Sequence, residues 1–302
     1  MSAIGVAIVG ANGFIGNHLC NKLKENSLVN LKMFGRSKQQ KSNNTPYYNL
    51  DLSNPKQIQE WFSDIDIVYY LASDSIPASS WDSPIQDIEN NLIPFIKLLD
   101  IISLCSVKKV VFTSSAGTIY GSSSTPLSED SNKTPFSPHG ISKLTMEHYL
   151  NYYKTRYNLA FDIFRISNVY GEGQDTSKGL GVINTFIESI NNTNEVNIYG
   201  SGENIRNYIY INDVVEILSY SILNLNSSNT YNLSSNDSLS INELVTLLKE
   251  IIKEDFVINY KETRGSDNPI IKLDNSRIQT AFPNFRFTPL SIGIQNTYKF
   301  IK

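Results

Sequence analysis

Three glycines at the end of an apolar run are the first residues here whose spacing has a chemical reason. Ile4-Gly-Val-Ala-Ile-Val-Gly10-Ala-Asn-Gly13-Phe14-Ile15-Gly16 passes from a strand-like segment into a helix-like one. Glycine serves such a turn in three ways: it lets the chain turn tightly, lets the backbone approach a pyrophosphate, and lets the helix pack against the strand. The N-terminus of the helix adds an attraction for the anion. A glycine pattern alone is weak, but this one follows a strand, opens a helix and heads a series of strand–helix units. It predicts a dinucleotide phosphate site at Gly10, Gly13, Phe14, Ile15 and Gly16, the alternative being a merely tight turn.

The second strand ends Phe34-Gly35-Arg36-Ser37. An NAD-selective fold usually carries an acid there for the ribose hydroxyls. A guanidinium with a neighbouring hydroxyl suits a 2′-phosphate better, so Arg36 and Ser37 favour NADP over NAD as cofactor. Arg36 as an ordinary surface cation is the alternative.

These residues need a frame, and the hydrophobic pattern supplies one. Ile4–Val9, Leu31–Phe34, Ile67–Leu71, Val110–Thr113 and Phe161–Ile166 are apolar nearly throughout, which predicts strands buried on both faces. Phe14–Leu23, Ile85–Leu104 and Ser142–Tyr157 carry apolar residues three and four apart and predict the intervening helices. Strand–helix alternation of this kind implies an α/β fold, a Rossmann-type doubly wound parallel sheet. Further on, the helical candidates Ile183–Ile190, Ile211–Leu223, Ile241–Ile252 and Ile292–Ile301 are separated by Asn-, Ser- and Gly-rich turns. They predict a smaller C-terminal α/β substrate lobe. Residues 1–170 would form the cofactor domain, with the chain returning to it around 206–225, and 171–302 would be mainly the lobe.

The chain has 302 residues, with 26 Lys and Arg against 29 Asp and Glu. That balance provides no basic field for nucleic acid or an anionic membrane surface. No apolar run approaches the ~18–20 residues that span a bilayer, so a cytoplasmic protein is expected. Cys20 and Cys105 both fall in helix-like patterns, which argues against a disulfide framework or a metal site.

Two more segments carry a likeness to a known family: Phe112-Thr-Ser114-Ser115-Ala-Gly-Thr-Ile-Tyr120-Gly121 and Ser137-Pro-His139-Gly-Ile-Ser-Lys143-Leu-Thr-Met-Glu147. With the glycine turn, the sequence resembles the extended short-chain dehydrogenase/reductases, in particular their nucleotide-sugar epimerase, dehydratase and reductase branch. Asp51-Leu52, Leu71-Ala72-Ser73, Asn90-Asn91-Leu92, Arg165-Ile-Ser-Asn168, Arg206 with Asp213, and Arg264-Gly-Ser-Asp267 follow in the order that branch shows. The resemblance implies cofactor adenine near Asp51 and Leu52, and the ribose and nicotinamide near Leu71, Ala72, Ser73 and Lys143. It implies a nucleoside-diphosphate sugar held by Asn168, Arg206, Arg264 and Asp267, the arginines gripping its diphosphate. Solvated surface arginines are the alternative. It also implies a homodimer formed through the helices at 85–104 and 142–157.

In this family a Ser or Thr bonds the reacting sugar oxygen, a Tyr exchanges its proton, and a Lys four residues later holds the ribose. Ser115 matches the first, with Ser114 a weaker choice, and Lys143 matches the third. His139 stands where the Tyr belongs. A phenol near ~10 must be lowered to act as a base at neutral pH, whereas imidazole starts near ~6.5. Beside the Lys143 ammonium the neutral imidazole is favoured. Three readings compete: His139 is the substitute acid/base, or Ser115 or water relays the proton past it, or the protein has lost redox activity and kept only binding.

The resemblance therefore implies NAD(P)-dependent chemistry at C4 of a nucleoside-diphosphate hexose, as a 4-ketoreductase or a 4-epimerase. A 4,6-dehydratase is disfavoured, because that chemistry needs an Asp-Glu pair after the catalytic hydroxyl, and Ala116-Gly117 follows Ser115. A catalytically impaired sugar-nucleotide-binding protein is the alternative from another class.

Overall fold

The computed structural model describes residues 3–36, 45–177, 179–263 and 270–302. The apolar runs of the first half become strands β1 (Ile4–Val9), β2 (Val29–Gly35), β3 (Tyr47–Asn49), β4 (Ile67–Tyr70), β5 (Lys109–Ser115) and β6 (Ala160–Ile166). With a later strand, Asn229–Leu233, they form a seven-stranded sheet in the order β3, β2, β1, β4, β5, β6, Asn229–Leu233. The pairs β1–β2, β1–β4, β2–β3 and β4–β5 are parallel. Val6, Ala7, Ile8, Ile67, Val68, Val111 and Phe112 are fully buried, as strands covered on both faces require. This is the Rossmann-type α/β architecture expected from the pattern. Strand order reverses between β1 and β4, the point at which open α/β sheets leave a crevice beyond their carboxyl ends.

Among the described residues, seven α-helices occupy the connections up to β6: α1 (Phe14–Lys24), α2 (Pro55–Trp61), α3 (Pro77–Asp82), α4 (Pro84–Asp87), α5 (Ile93–Ile102), α6 (Ala116–Ile119) and α7 (Pro138–Tyr157). The single helix expected over 85–104 is instead α4 and α5 joined by a π-helical turn, Ile88–Leu92. Pro94 lies just beyond this turn and cannot donate the N–H that would continue a regular α-helix. The helix expected from Ser142 starts four residues earlier, at Pro138. Ser137 caps it by accepting a 3.2 Å hydrogen bond from the Gly140 N–H, and Pro138 takes the first position. His139 therefore sits in the first turn of α7.

The chain divides into two compact units. One comprises Met1–Ile119, Pro135–Arg165 and Val215–Tyr231, and the other Tyr120–Thr134, Ile166–Val214 and Asn232–Lys302. In the second, Ser238–Ser240, Ile205–Tyr210 and Asn168–Tyr170 form a three-stranded sheet, and Val257–Lys261 pairs in parallel with Glu195–Tyr199. Among the described residues, no helix is long and apolar enough to cross a membrane.

Candidate active site

The register of the sheet sets the site. Val9 of β1 lies beside Tyr70 of β4, and Tyr70 beside Phe112 of β5. One residue further, Gly10, Leu71 and Thr113 therefore emerge side by side from the carboxyl edge. Gly10 adopts φ +91°, a left-handed conformation that favours glycine. A Cβ on it would lie 2.7 Å from the Ala72 nitrogen and 2.9 Å from the Leu71 carbonyl carbon. A Cβ on Gly16 would strike the Gly10 carbonyl oxygen, so α1 packs directly on the turn. Gly13 is the N-cap of α1 and brings no side-chain acceptor to the helix end, and the first turn holds no acid. The first N–H groups of this helix and the bare backbone of the turn fit a pyrophosphate, and Phe14 and Ile15 begin that helix.

Arg36 lies just past β2, largely exposed, and its guanidinium pairs with Asp74 at 2.5 Å. The Asp51 carboxylate accepts a 2.9 Å bond from the Ser53 N–H, which holds its pKa below the ordinary carboxylate value. Leu52 packs against the core, as does Ala72. Ser73 is exposed and donates to the Ser75 carbonyl at 3.1 Å.

Two contacts draw α7 to the end of β5, and a third sets it against α6. The Lys143 ammonium donates to the Thr113 carbonyl at 3.0 Å and lies 4.9 Å from the centre of the Phe112 ring. A Cβ on Gly140 would meet the Thr118 carbonyl of α6, so glycine is what lets the two helices touch. Deeper along α7, Glu147 forms a buried fork with Arg165 of β6, Nη2 to Oε2 at 2.7 Å and Nε to Oε1 at 3.1 Å. Ser115 is half-buried at the end of β5, two residues beyond Thr113. Ser114, the weaker candidate, is buried with its Oγ lacking a hydrogen-bond partner among the described residues.

His139 is buried, and its backbone N–H donates to Ser80 Oγ at 3.2 Å. Its Nδ1 lies 3.2 Å from Ser75 Oγ. Burial, followed by the neighbouring Lys143 ammonium, lowers the imidazole pKa to about 4, and the Asp87 carboxylate opposes this in part. Burial likewise lowers Lys143 to about 8, against the attraction of Asp87 and Glu147. At neutral pH the pair is thus a neutral imidazole beside an ammonium one helical turn away. Tyr120 is not a substitute for the missing phenol, because its hydroxyl donates to Asn232 Oδ1 at 2.8 Å. His18 bonds through Nδ1 to the Phe14 carbonyl on α1, and His148 faces solvent.

In the second unit, Asn168 donates to the Asn207 carbonyl at 3.0 Å and pairs in register with Tyr208, two residues along the strand from Arg206. Arg206 is half-buried and donates to its neighbouring Ile205 carbonyl. Ser37, Arg264 and Asp267 lie outside the described residues.

Sequence reasoning gave no role to Ser75, Asp87, Asn91 or Ser142, although Asn91 and Ser142 fall in segments that carry the family resemblance. Asp87 is buried and accepts from Ser142 Oγ at 2.5 Å, from Asn91 Nδ2 at 3.1 Å and from Ser75 Oγ.

Residues 6–234 match the pattern of the NAD dependent epimerase/dehydratase family. The chain is 32% identical over 279 residues to the dTDP-4-dehydro-6-deoxyglucose reductase of Escherichia coli, covering 88% of this chain and 85% of that protein. The UDP-glucose 4-epimerase of Thermotoga maritima, solved with UDP-glucose, superposes with a TM-score of 0.91 at 29% identity, covering 98% of each chain. MoeE5, solved in complex with UDP-glucose and NAD, gives a TM-score of 0.89 at 25% identity, again covering 98% of each. The likeness thus extends over most of the sequence and the fold together, and the chain belongs to the NAD dependent epimerase/dehydratase family.

Proposed function

We propose that the protein is an enzyme of hydride chemistry at C4 of a nucleoside-diphosphate hexose, a 4-epimerase or 4-ketoreductase in which His139 exchanges the proton. The observation that carries this reading is the alignment of Gly10, Leu71 and Thr113 on one sheet edge, with the Lys143 ammonium on the Thr113 carbonyl. Two strand spacings, about 10 Å, separate the phosphate turn from Lys143, a span that suits an extended dinucleotide. The bound nicotinamide supplies or takes the hydride. The glycine turn and the α1 N-terminus hold the pyrophosphate, Leu52 and Asp51 flank the adenine, and Leu71, Ala72 and Ser73 line the middle. Lys143 has three donors, of which the Thr113 bond uses one, and it holds the ribose. Ser115 bonds the reacting oxygen. Asn168, Arg206, Arg264 and Asp267 bind the nucleotide sugar, so the first unit is the cofactor domain and the second mainly the substrate lobe.

NAD is the cofactor this reading takes. The family description and the NAD-bound neighbour point that way, and Asp74 already occupies the guanidinium that favoured NADP. An exposed pair of this kind is worth only about 0–1 kcal/mol, so it biases the choice modestly. Asp74→Ala is expected to improve kcat/KM with NADP relative to NAD by a few-fold, at most about fivefold for such a pair. An unchanged ratio would remove Arg36 and Asp74 from cofactor choice.

A second copy of the chain is expected to cover Ile85 and Ile141, 71% and 52% exposed, together with the exposed Ile88 and Ile93 on the same packed group α4, α5 and α7. Sedimentation velocity checks this, and a species of single-chain mass at micromolar concentration would refute it. The cytoplasm, which keeps thiols such as Cys20 and Cys105 reduced, is the compartment this reading implies. The activity itself is tested by incubating the protein with nicotinamide cofactor and a panel of 4-keto and 4-hydroxy nucleotide sugars.

A further inference from the structure

The hydroxyl of Ser75 is the junction of a buried chain of hydrogen bonds ending on His139. It has one hydrogen and two acceptor lone pairs. Three groups meet it: the Asp87 Oδ1, the Asn91 Nδ2 at 3.1 Å and the His139 Nδ1 at 3.2 Å. The orientation of Asn91 is fixed, because its Oδ1 accepts the Asp74 N–H at 2.7 Å, so its amide nitrogen must face Ser75 as a donor. Asp87 can only accept, and it sits closest, so the single Ser75 hydrogen goes to it. Both lone pairs of Ser75 are then left for donors. Asn91 takes one, and the His139 contact is a hydrogen bond only if Nδ1 carries its proton. The bare nitrogen of the neutral imidazole is therefore Nε2.

We propose that Asp87, acting through Ser75, is a positioning residue for His139: it holds the imidazole as the Nδ1–H tautomer, leaving Nε2 to accept the proton, and faces the imidazolium that results. This rests on the reading of His139 as the proton-exchanging group. In the oxidising direction the C4 hydroxyl O–H bond breaks and its proton goes to Nε2. The C4 hydride leaves for the oxidised nicotinamide, and the C4–O bond becomes a carbonyl. The imidazolium then lies between the Lys143 ammonium on its own helix and the Asp87 carboxylate from α4, the charged groups that act on it from the two elements. Ser142, adjacent to Lys143, bonds the other Asp87 oxygen, so the same carboxylate ties the anchor to the helix that carries the proton. Without Asp87 the nearest charge is the ammonium alone, and protonation of His139 during the reaction is opposed.

The test is NMR of the whole protein labelled with ¹³C,¹⁵N-histidine, which contains only His18, His139 and His148; His139→Gln assigns the signal. At pH 7.5 the expected state of His139 is protonated at Nδ1 and bare at Nε2. Ser75→Ala is expected to shift the population toward Nε2–H and to lower kcat about 10–100-fold with KM nearly unchanged. Asp87→Asn keeps an acceptor for Ser75 but removes the charge, so it should keep the tautomer, lower kcat, and move the acid limb of the pH profile to lower pH. A wild-type His139 protonated at Nε2 would overturn the proposal, as would a Ser75→Ala protein with unchanged tautomer and kcat. The NMR reading does not depend on turnover, so it fails separately from the catalytic role of His139, which His139→Ala tests.

Discussion

His139→Ala is expected to lower turnover by about 10²–10⁴-fold, with little change in cofactor affinity. The imidazole is buried at the start of α7, and its pKa of about 4 keeps it neutral through the physiological range. Its lone pair is therefore free at neutral pH without the prior deprotonation a phenol requires, while the low pKa makes it a weak base that needs a nearby carboxylate to take a proton. The backbone N–H of residue 139 and the cap at Ser137 survive the change, so the loss would be chemical, with α7 intact. Stability should respond in a separable way. A histidine lowered from 6.5 to about 4 contributes stability that is complete above pH 6.5 and is lost as pH falls through 4, up to about 3 kcal/mol. His139→Ala should flatten that dependence in urea titrations between pH 7 and 4. His139→Tyr should retain activity if the pocket keeps the family geometry, and wild-type turnover in His139→Ala would reject the assignment.

Lys143→Met is expected to reduce turnover by at least about 10²-fold, the scale of a lost electrostatic anchor, and yet to stabilise the fold at pH 7. Lys143 is buried, and its pKa is lowered from 10.5 to about 8. Between those values the unfolded chain binds a proton that the folded chain rejects. Stability from this group is thus complete above pH 10.5, is lost as pH falls through 8, and at pH 7 is lower by up to about 3 kcal/mol. The lost Thr113 bond subtracts about 1 kcal/mol from the gain. Denaturant titrations at pH 7 and 10.5 check this: the variant should gain at the first and not at the second. A buried lysine whose charged form costs stability at neutral pH is explained by what its ammonium holds. Above pH 8 the wild-type enzyme should lose activity as the ammonium titrates, whereas a variant without the lysine has no such limb.

The glycine turn and the helix that carries His139 and Lys143 were legible because their demands are local. Gly10 answers to its own φ and to the backbone of Ala72, and any strand opening such a helix needs the same residue. His139 and Lys143 stand one helical turn apart, so a spacing of four carries the arrangement. Arg36 shows the limit, since its partner Asp74 is 38 residues away and neither residue betrays the other. Asp87 and Ser75 were hidden for a similar reason. They meet only because a π-helical turn offsets Asn91 and because the loop after β4 folds back on α7, and neither event leaves a periodic trace. The start of α7 at Pro138 was readable from Ser137-Pro138, but apolar spacing begins later and drew the boundary to Ser142.

The most direct measurement is turnover by the purified protein with NAD(H) and NADP(H), against a panel of nucleoside-diphosphate 4-keto and 4-hydroxy hexoses, following absorbance and product configuration. The expected result is conversion at C4 with at least one of them: net oxidation of the cofactor marks a reductase, and epimerisation without net absorbance change marks an epimerase. Tight binding of cofactor and sugar nucleotide with no turnover of any would contradict it, and would leave a binding protein in which histidine replaced tyrosine after catalysis was lost.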